Sequence, residues 1–240
     1  MRINVPNLVY ALAHPLRAAR YLVYRDRIPY NAIARYLPAN PVIVEAGAHD
    51  GSTTMEMASF WPQSTIHAFE PVAAAATEVR RKVAIFGKRV QCHQLALGDA
   101  DSVMDMHVSG DGSAGSCQSS SLLAPTDAQI REFPAIPFGA QERVRVVPLD
   151  SWAAEGGLDS VDFMWLDMQG YELVALAGAR KLLLNVSAVH MEVSNVLLYE
   201  GAALYPAVRR AMADWGFEPV IEAFFRVSGN VLFARRSLQR

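Results

Sequence analysis

A chain of 240 residues fits one large domain with room for an added arm. Its 52% hydrophobic content supports a sizeable core, and a formal net charge of −2 leaves no global basic field to recruit nucleic acid. The two cysteines, Cys92 and Cys117, form no short-spaced motif, which argues against a disulfide framework or zinc site and for a reducing cytoplasm.

The first 40 residues stand apart. Arg2, Arg17, Arg20, Arg25, Arg27 and Arg35 face one acid, Asp26. Positions 5–36 read as helical, with Pro15 opening a turn and Leu16, Ala19, Leu22 and Val23 at helical spacing. The opening apolar run, broken by Pro6 and Pro15, does not read as a secretion signal, and no run in the chain reaches the length of a transmembrane segment. The N-terminal helical arm, 1–40, therefore reads as packed on the domain or as a homodimer contact, not as a membrane anchor. Pro38 and Pro41 mark its boundary with a domain over 41–240.

Beyond that boundary strands and helices alternate. "VIVEA" reads as a buried strand, "GSTTMEMASFW" as a helix, "TIHAFE" as a strand and "VAAAATEVRRKVAIF" as a helix. "RVQCHQLAL" supplies a third strand. "VDFMWLD", "SAVHMEV" and the final "NVLFARR" read as three more strands, with helices "ELVALAGARKLLL" and "LYPAVRRAMADW" between them and "FEPVIEAFF" preceding the last. The near-continuous apolar strands predict an α/β fold, a mostly parallel seven-stranded sheet with helices on both faces. Positions 109–142, rich in Gly, Ser and Pro, read as a partly ordered loop over a ligand, after which "RVRVVPLD" resumes the core.

Ligands of open α/β sheets bind beyond the C-terminal strand ends. That rule selects positions 45–54, Glu70, 96–99 and 167–172. Gly47 and Gly51 permit a tight turn and close backbone approach, and a helix starting near Ser52 aims free N–H groups at a ligand. A P-loop is excluded because no Gly-Lys-Ser/Thr follows, and His49 occupies the place where a dinucleotide site needs its second glycine. Glu70, closing the second strand and fixed by Pro71, suits a two-point grip on the hydroxyls of a ribose. Asp167 ends a strongly apolar strand, where a carboxylate would not be left without a role.

Taken together, "VIVEAGAHDGSTT", "IHAFEPV", "LALGD", "VVPLDSW", "VDFMWLDMQGYELVALAGA" and "VHMEVS" resemble the successive motifs of the FkbM-type methyltransferases. The resemblance spans positions 42–194 and implies a Rossmann-like fold and S-adenosyl-L-methionine as cofactor. Met168 and Gln169 stand where that family prefers a branched apolar residue and an acid. By the resemblance, Glu45, Gly47 and Gly51 line the methionine portion of the cofactor, Glu70 holds the ribose, and Leu97 lies near the adenine. Ser120, within the Ser119–Ser121 cluster, touches the cofactor, and Asp167 sits between methionine moiety and acceptor. Ala48, Asp50, Thr53, Pro71, Ala96 and Gln169 complete the expected cofactor contacts.

The acceptor implied is a hydroxyl on a sugar or secondary metabolite. The chain also lacks the Asn/Asp-Pro-Pro-aromatic turn of many amino-group methylases, having "LDMQGYE" in its place. The expected catalytic residues are Asp167, Glu192 and His190, the last two sharing a strand face because side chains two apart point the same way. No metal set is expected, since Asp167 and Glu192 are too few to define one. Two rival readings stay open: a nucleotide- or NAD-binding protein on the same sheet, and a non-catalytic scaffold that uses the basic arm for a partner.

Overall fold

A computed structural model describes residues 28–225 and 227–238. Most of the expected arm, including the helix over Leu16–Val23, lies outside these residues. Its last part is described: a short helix α1 (Tyr30–Ile33) and a 3₁₀ turn lay Ile28 and Ile33, both fully buried, against the domain core.

Seven strands form one sheet: β1 (Val42–Ala46), β2 (Thr65–Phe69), β3 (Val90–His93), β7 (Phe163–Leu166), β8 (Ala188–Ser194), β9 (Phe217–Phe225) and β10 (Ser228–Arg235). Their order is β3-β2-β1-β7-β8-β10-β9. The first five in that order run parallel, while β10 pairs antiparallel with both β8 and β9. The central strands are buried on both faces, which explains why their sequences are continuous apolar runs and not alternating ones.

Each face carries its own core. On one, Ile43, Ile66 and Phe163 meet Met57 and Ala58 of α2 (Ser52–Phe60) and Val79 and Val83 of α3 (Ala73–Val83). On the other, Val44, Met164 and Val189 meet helices α5 (Leu149–Gly156), α6 (Glu172–Ala177), α7 (Arg180–Leu183) and α8 (Tyr205–Asp214). No helix among the described residues is long and apolar enough to cross a membrane.

Two local expectations are corrected. "RVQCHQLAL" is two strands, since the chain leaves the main sheet after His93 and β4 (Ala96–Gly98) joins a second sheet. That second, three-stranded sheet has the order β4-β6-β5, where β5 is Ser102–Ser109 and β6 is Phe138–Pro148; the strand in "RVRVVPLD" joins it, while Val147 and Leu149 pack into the main core as expected. The helix expected over "ELVALAGARKLLL" breaks at Gly178, where a Cβ would fall 1.9 Å from the Gly98 carbonyl oxygen, and only a glycine lets α6 and β4 approach so closely. Within positions 109–142 the chain also forms α4 (Asp127–Glu132), capped by the Thr126 hydroxyl accepting from the Gln129 N–H.

Candidate active site

The turns after β1, β2 and β7 converge at the C-terminal edge of the parallel strands. Between them and the second sheet lies a cavity of about 220 Å³. Ten of the predicted cofactor contacts line it: Gly47, Ala48, Asp50, Thr53, Glu70, Pro71, Ala96, Leu97, Ser120 and Asp167. Glu45, Gly51 and Gln169 do not.

The β1 turn is bent by left-handed residues, Gly47 at φ 84°, His49 at φ 50° and Gly51 at φ 79°. Gly47 is forced by space as well, because a Cβ there would sit 1.9 Å from the Asp167 carbonyl oxygen. Gly51 caps α2 and packs on Val79. Asp50 accepts from the Ser52 N–H at 3.0 Å and from the Lys82 ammonium at 2.6 Å. Partial burial opposes ionisation of Asp50, but Lys82 and the two Ser52 donors outweigh it and hold the carboxyl at about 2.

Glu70 is 5% exposed. One carboxylate oxygen accepts from the His49 N–H at 2.8 Å and the other from the Val72 N–H at 2.9 Å. Burial raises its pKa to about 7 against the pull of those donors. Glu45 lies beneath the turn, fully buried. The Thr54 hydroxyl donates to one of its oxygens at 2.5 Å, while the other has no partner. Burial lifts this carboxyl to about 8, so it carries a proton at neutral pH.

The β7 turn holds the remaining groups. The Asp167 N–H donates to the Ala46 carbonyl at 3.0 Å, which locks the two turns together. Gln169, left-handed at φ 54°, donates its side-chain N–H to Asp167 at 2.7 Å and Glu192 at 2.6 Å, and its side-chain oxygen accepts from the Tyr199 hydroxyl at 3.0 Å. Burial, and then the neighbouring Asp167, push the half-buried Glu192 well above the usual carboxylate range. Glu172 accepts from the Met168 and Gly170 N–H groups, and burial raises it to about 7.

His190 lies away from this group. Its ring stacks on Trp165 with centroids 3.5 Å apart, both ring nitrogens are buried without a partner among the described residues, and burial lowers its pKa to about 3. It does not line the cavity; Trp165 does. The serine cluster secures the long loop. Ser121 donates to the Gln169 carbonyl at 2.9 Å, Ser120 accepts from the Ser109 N–H, and Cys117, Gln118 and Ser120 form one wall of the cavity.

Sequence reasoning missed several cavity residues. Met106 comes from β5, a strand not expected at all. Tyr171 lies inside the quoted "LDMQGYE", where its aromatic ring next to a turn glycine was an available signal. Tyr199, which holds Gln169 without lining the cavity, gives no local signal. Among the described residues, no three His, Cys, Asp or Glu side chains are grouped as metal ligands.

A parallel block flanked by an antiparallel hairpin, with acids and a glycine turn around one cavity at its C-terminal edge, defines a Rossmann-like methyltransferase. Residues 45–219 match the model of the methyltransferase FkbM domain. The chain is 30% identical over 200 residues to the 2-O-methyltransferase NoeI of Sinorhizobium fredii (strain NBRC 101917 / NGR234), spanning 83% of this chain and 81% of that protein. It is 26% identical over 248 residues to the methyltransferase sdnD of Sordaria araneosa, spanning 82% and 88%. The chain belongs to the FkbM methyltransferase family.

Proposed function

We propose that the protein transfers a methyl group from S-adenosyl-L-methionine to a hydroxyl of a small molecule, a sugar or a secondary metabolite. The observation that carries this reading is Glu70, a buried carboxylate at the cavity wall whose two oxygens are already aimed by the His49 and Val72 N–H groups. A carboxylate held in that way suits two adjacent ribose hydroxyls. The rest of the cavity fits the same cofactor. Leu95, Leu97, Met106 and Leu122 give apolar walls for an adenine, and the Asp167 carboxyl at the wall suits a cationic sulfonium and ammonium. His49 fills the position that a pyrophosphate would need open, which disfavours a dinucleotide. Kinship with a 2-O-methyltransferase supports oxygen as the acceptor atom.

When bound, the cofactor supplies a methyl group on positively charged sulfur, a leaving group that needs no protonation. The residues have two tasks left. The cavity must hold two reactants in line, and orientation of this kind lowers a barrier by roughly 7–11 kcal/mol. A base must take the hydroxyl proton, which typically adds about 10²–10⁴-fold. Asp167 is the carboxylate placed for this, at the cavity wall and next to Gln169 and Glu192. Glu192, pushed well above the usual carboxylate range by burial and then by Asp167, lies at the same junction and accepts from the Gln169 amide. His190, packed on Trp165, takes no part in proton transfer.

Calorimetry with S-adenosylhomocysteine and NAD tests the cofactor. The first should bind and the second should not. NAD binding without S-adenosylhomocysteine binding would sink the reading, and methyl transfer to any acceptor would eliminate a purely structural scaffold.

A further inference from the structure

Three pieces of chain that are far apart in sequence meet at one oxygen atom behind the cavity. Tyr199 follows β8 and is 2% exposed. It lines not the first cavity but a second, of about 40 Å³, beyond the β7 turn. Its hydroxyl lies 2.8 Å from the Ser119 carbonyl oxygen and 3.0 Å from the side-chain oxygen of Gln169. Gln118 and Ser120, on either side of Ser119, are wall of the first cavity. Gln169 holds Asp167, which is wall of the same cavity. The path from one wall to the other therefore runs through the Tyr199 oxygen.

The segment that carries this oxygen is braced. The Glu200 N–H donates to the Ala124 carbonyl at 2.8 Å, and the Thr126 N–H donates to the Leu198 carbonyl at 2.9 Å. The Thr126 hydroxyl adds a bond to the Leu197 carbonyl at 2.7 Å. Ser121 ties the same loop to the Gln169 carbonyl. The phenol also keeps its proton. Burial, and then the neighbouring Glu192 and Asp167, push its pKa far above the ordinary 10, so it is a donor in any ordinary buffer.

Gln169 needs such an anchor. Its backbone is left-handed, which costs energy for a residue with a Cβ, and a glutamine side chain is long and free to turn. Its amide nitrogen donates to Asp167 at 2.7 Å and to Glu192 at 2.6 Å. Were the carboxamide to turn over, its oxygen would repel the Asp167 carboxyl where an N–H attracts it. By donating to that oxygen, the Tyr199 hydroxyl holds it away from the acids and leaves the N–H groups for them.

We propose that Tyr199 is a positioning residue for methyl transfer: acting through Gln169, it sets the Asp167 carboxyl against the Gln118–Ser120 wall, where the sulfur of the cofactor is received. The inference rests on S-adenosylmethionine binding in the first cavity. That ligand carries a positive charge on sulfur and S-adenosylhomocysteine does not. A correctly aimed Asp167 favours the charged sulfur, so the ratio of the two dissociation constants reads its placement. A general loosening of the fold moves both constants together and leaves the ratio alone.

Calorimetry of the parent protein with both ligands comes first. If it binds neither, the cofactor reading falls, and this inference with it. Tyr199→Phe then removes one oxygen atom. It should weaken S-adenosylmethionine about threefold or more beyond any loss for S-adenosylhomocysteine. Gln169→Met keeps the length of the side chain without its amide and should shift the ratio by as much or more. Joining the two substitutions should add nothing to the Gln169→Met shift, because Tyr199 has then lost the group it acts through. Melting curves run alongside record any change in the fold. A Tyr199→Phe protein that binds the two ligands in the parent's ratio, whatever its melting temperature, would overturn the inference. So would a double variant whose shift is the sum of the single ones. Should Tyr199→Phe not fold, Gln169→Met decides the matter, and the parent's ratio in that variant refutes it.

Discussion

Strands β1 and β7 pair side by side, and the turns after them solve one problem with different atoms. Each contains a left-handed residue that is not glycine, His49 in one and Gln169 in the other. Each is pinned by a buried glutamate accepting two backbone N–H groups. Glu70 takes those of His49 and Val72, while Glu172 takes those of Met168 and Gly170. Burial raises both carboxyls to about 7. The difference is in what faces the cavity. Glu70 itself lines it, whereas Glu172 lies on the far side of its turn and leaves Asp167 at the cavity wall. On the proposed function the first turn is a binding surface and the second a place for chemistry, although both are built to one plan.

The sharpest way to break that contrast is Asp167→Asn. If the second turn serves chemistry, turnover should fall about 10²–10⁴-fold, while S-adenosylhomocysteine affinity measured by calorimetry changes far less. Equal losses in both would return Asp167 to a binding role. Gly47→Ala attacks the contact between the turns. Its Cβ would press on the Asp167 carbonyl oxygen, 1.9 Å away, in a left-handed backbone. Urea denaturation should show a loss of about 3 kcal/mol, with both binding and turnover impaired.

Glu70→Ala should weaken S-adenosylhomocysteine binding by about 1.5–3 kcal/mol per charged hydrogen bond lost. Acidity sharpens the point. A carboxyl raised to about 7 is protonated below that pH, and hydroxyl donors favour its ionised form, so affinity in the parent should climb as pH rises through about 7. In Glu70→Gln the profile should be flat; a climb that persists would move the titration elsewhere.

Glu172 is tested on stability. Its folded value of about 7 lies above the ordinary 4.5, so its contribution is complete below about 4.5 and is lost as pH rises toward 7. The loss is on the order of 1 kcal/mol per pH unit. Melting curves of Glu172→Gln across this range should be correspondingly flatter than those of the parent, and identical slopes would show that the carboxyl does not titrate there.

The main sheet was legible because its strands are uninterrupted apolar runs closed by an acid or a glycine, a pattern that doubly covered parallel strands impose. Strand β5 escaped because "SVMDMHVS" mixes polar and apolar residues and pairs with β6 across the Gly- and Ser-rich stretch 110–137. The acids at strand ends could be found from position alone. Their division of labour could not. Periodicity puts His190 and Glu192 on one face, but only the register of β7 against β8 sets His190 opposite Trp165, where the indole covers it. Tyr199 reaches Gln169 from 30 positions away, a contact that no local spacing encodes.

The Trp165–His190 stack has an optical consequence. Trp165 lines the first cavity; the other three tryptophans, Trp61, Trp152 and Trp215, do not. Its ring rests on an imidazole that stays neutral down to about pH 3, so the environment beneath it is constant across any ordinary buffer. On the proposed function, an adenosyl ligand fills the space beside this one indole and leaves the others as background. The fluorescence that Trp165→Phe removes is therefore a built-in, label-free gauge of whether the cavity is filled.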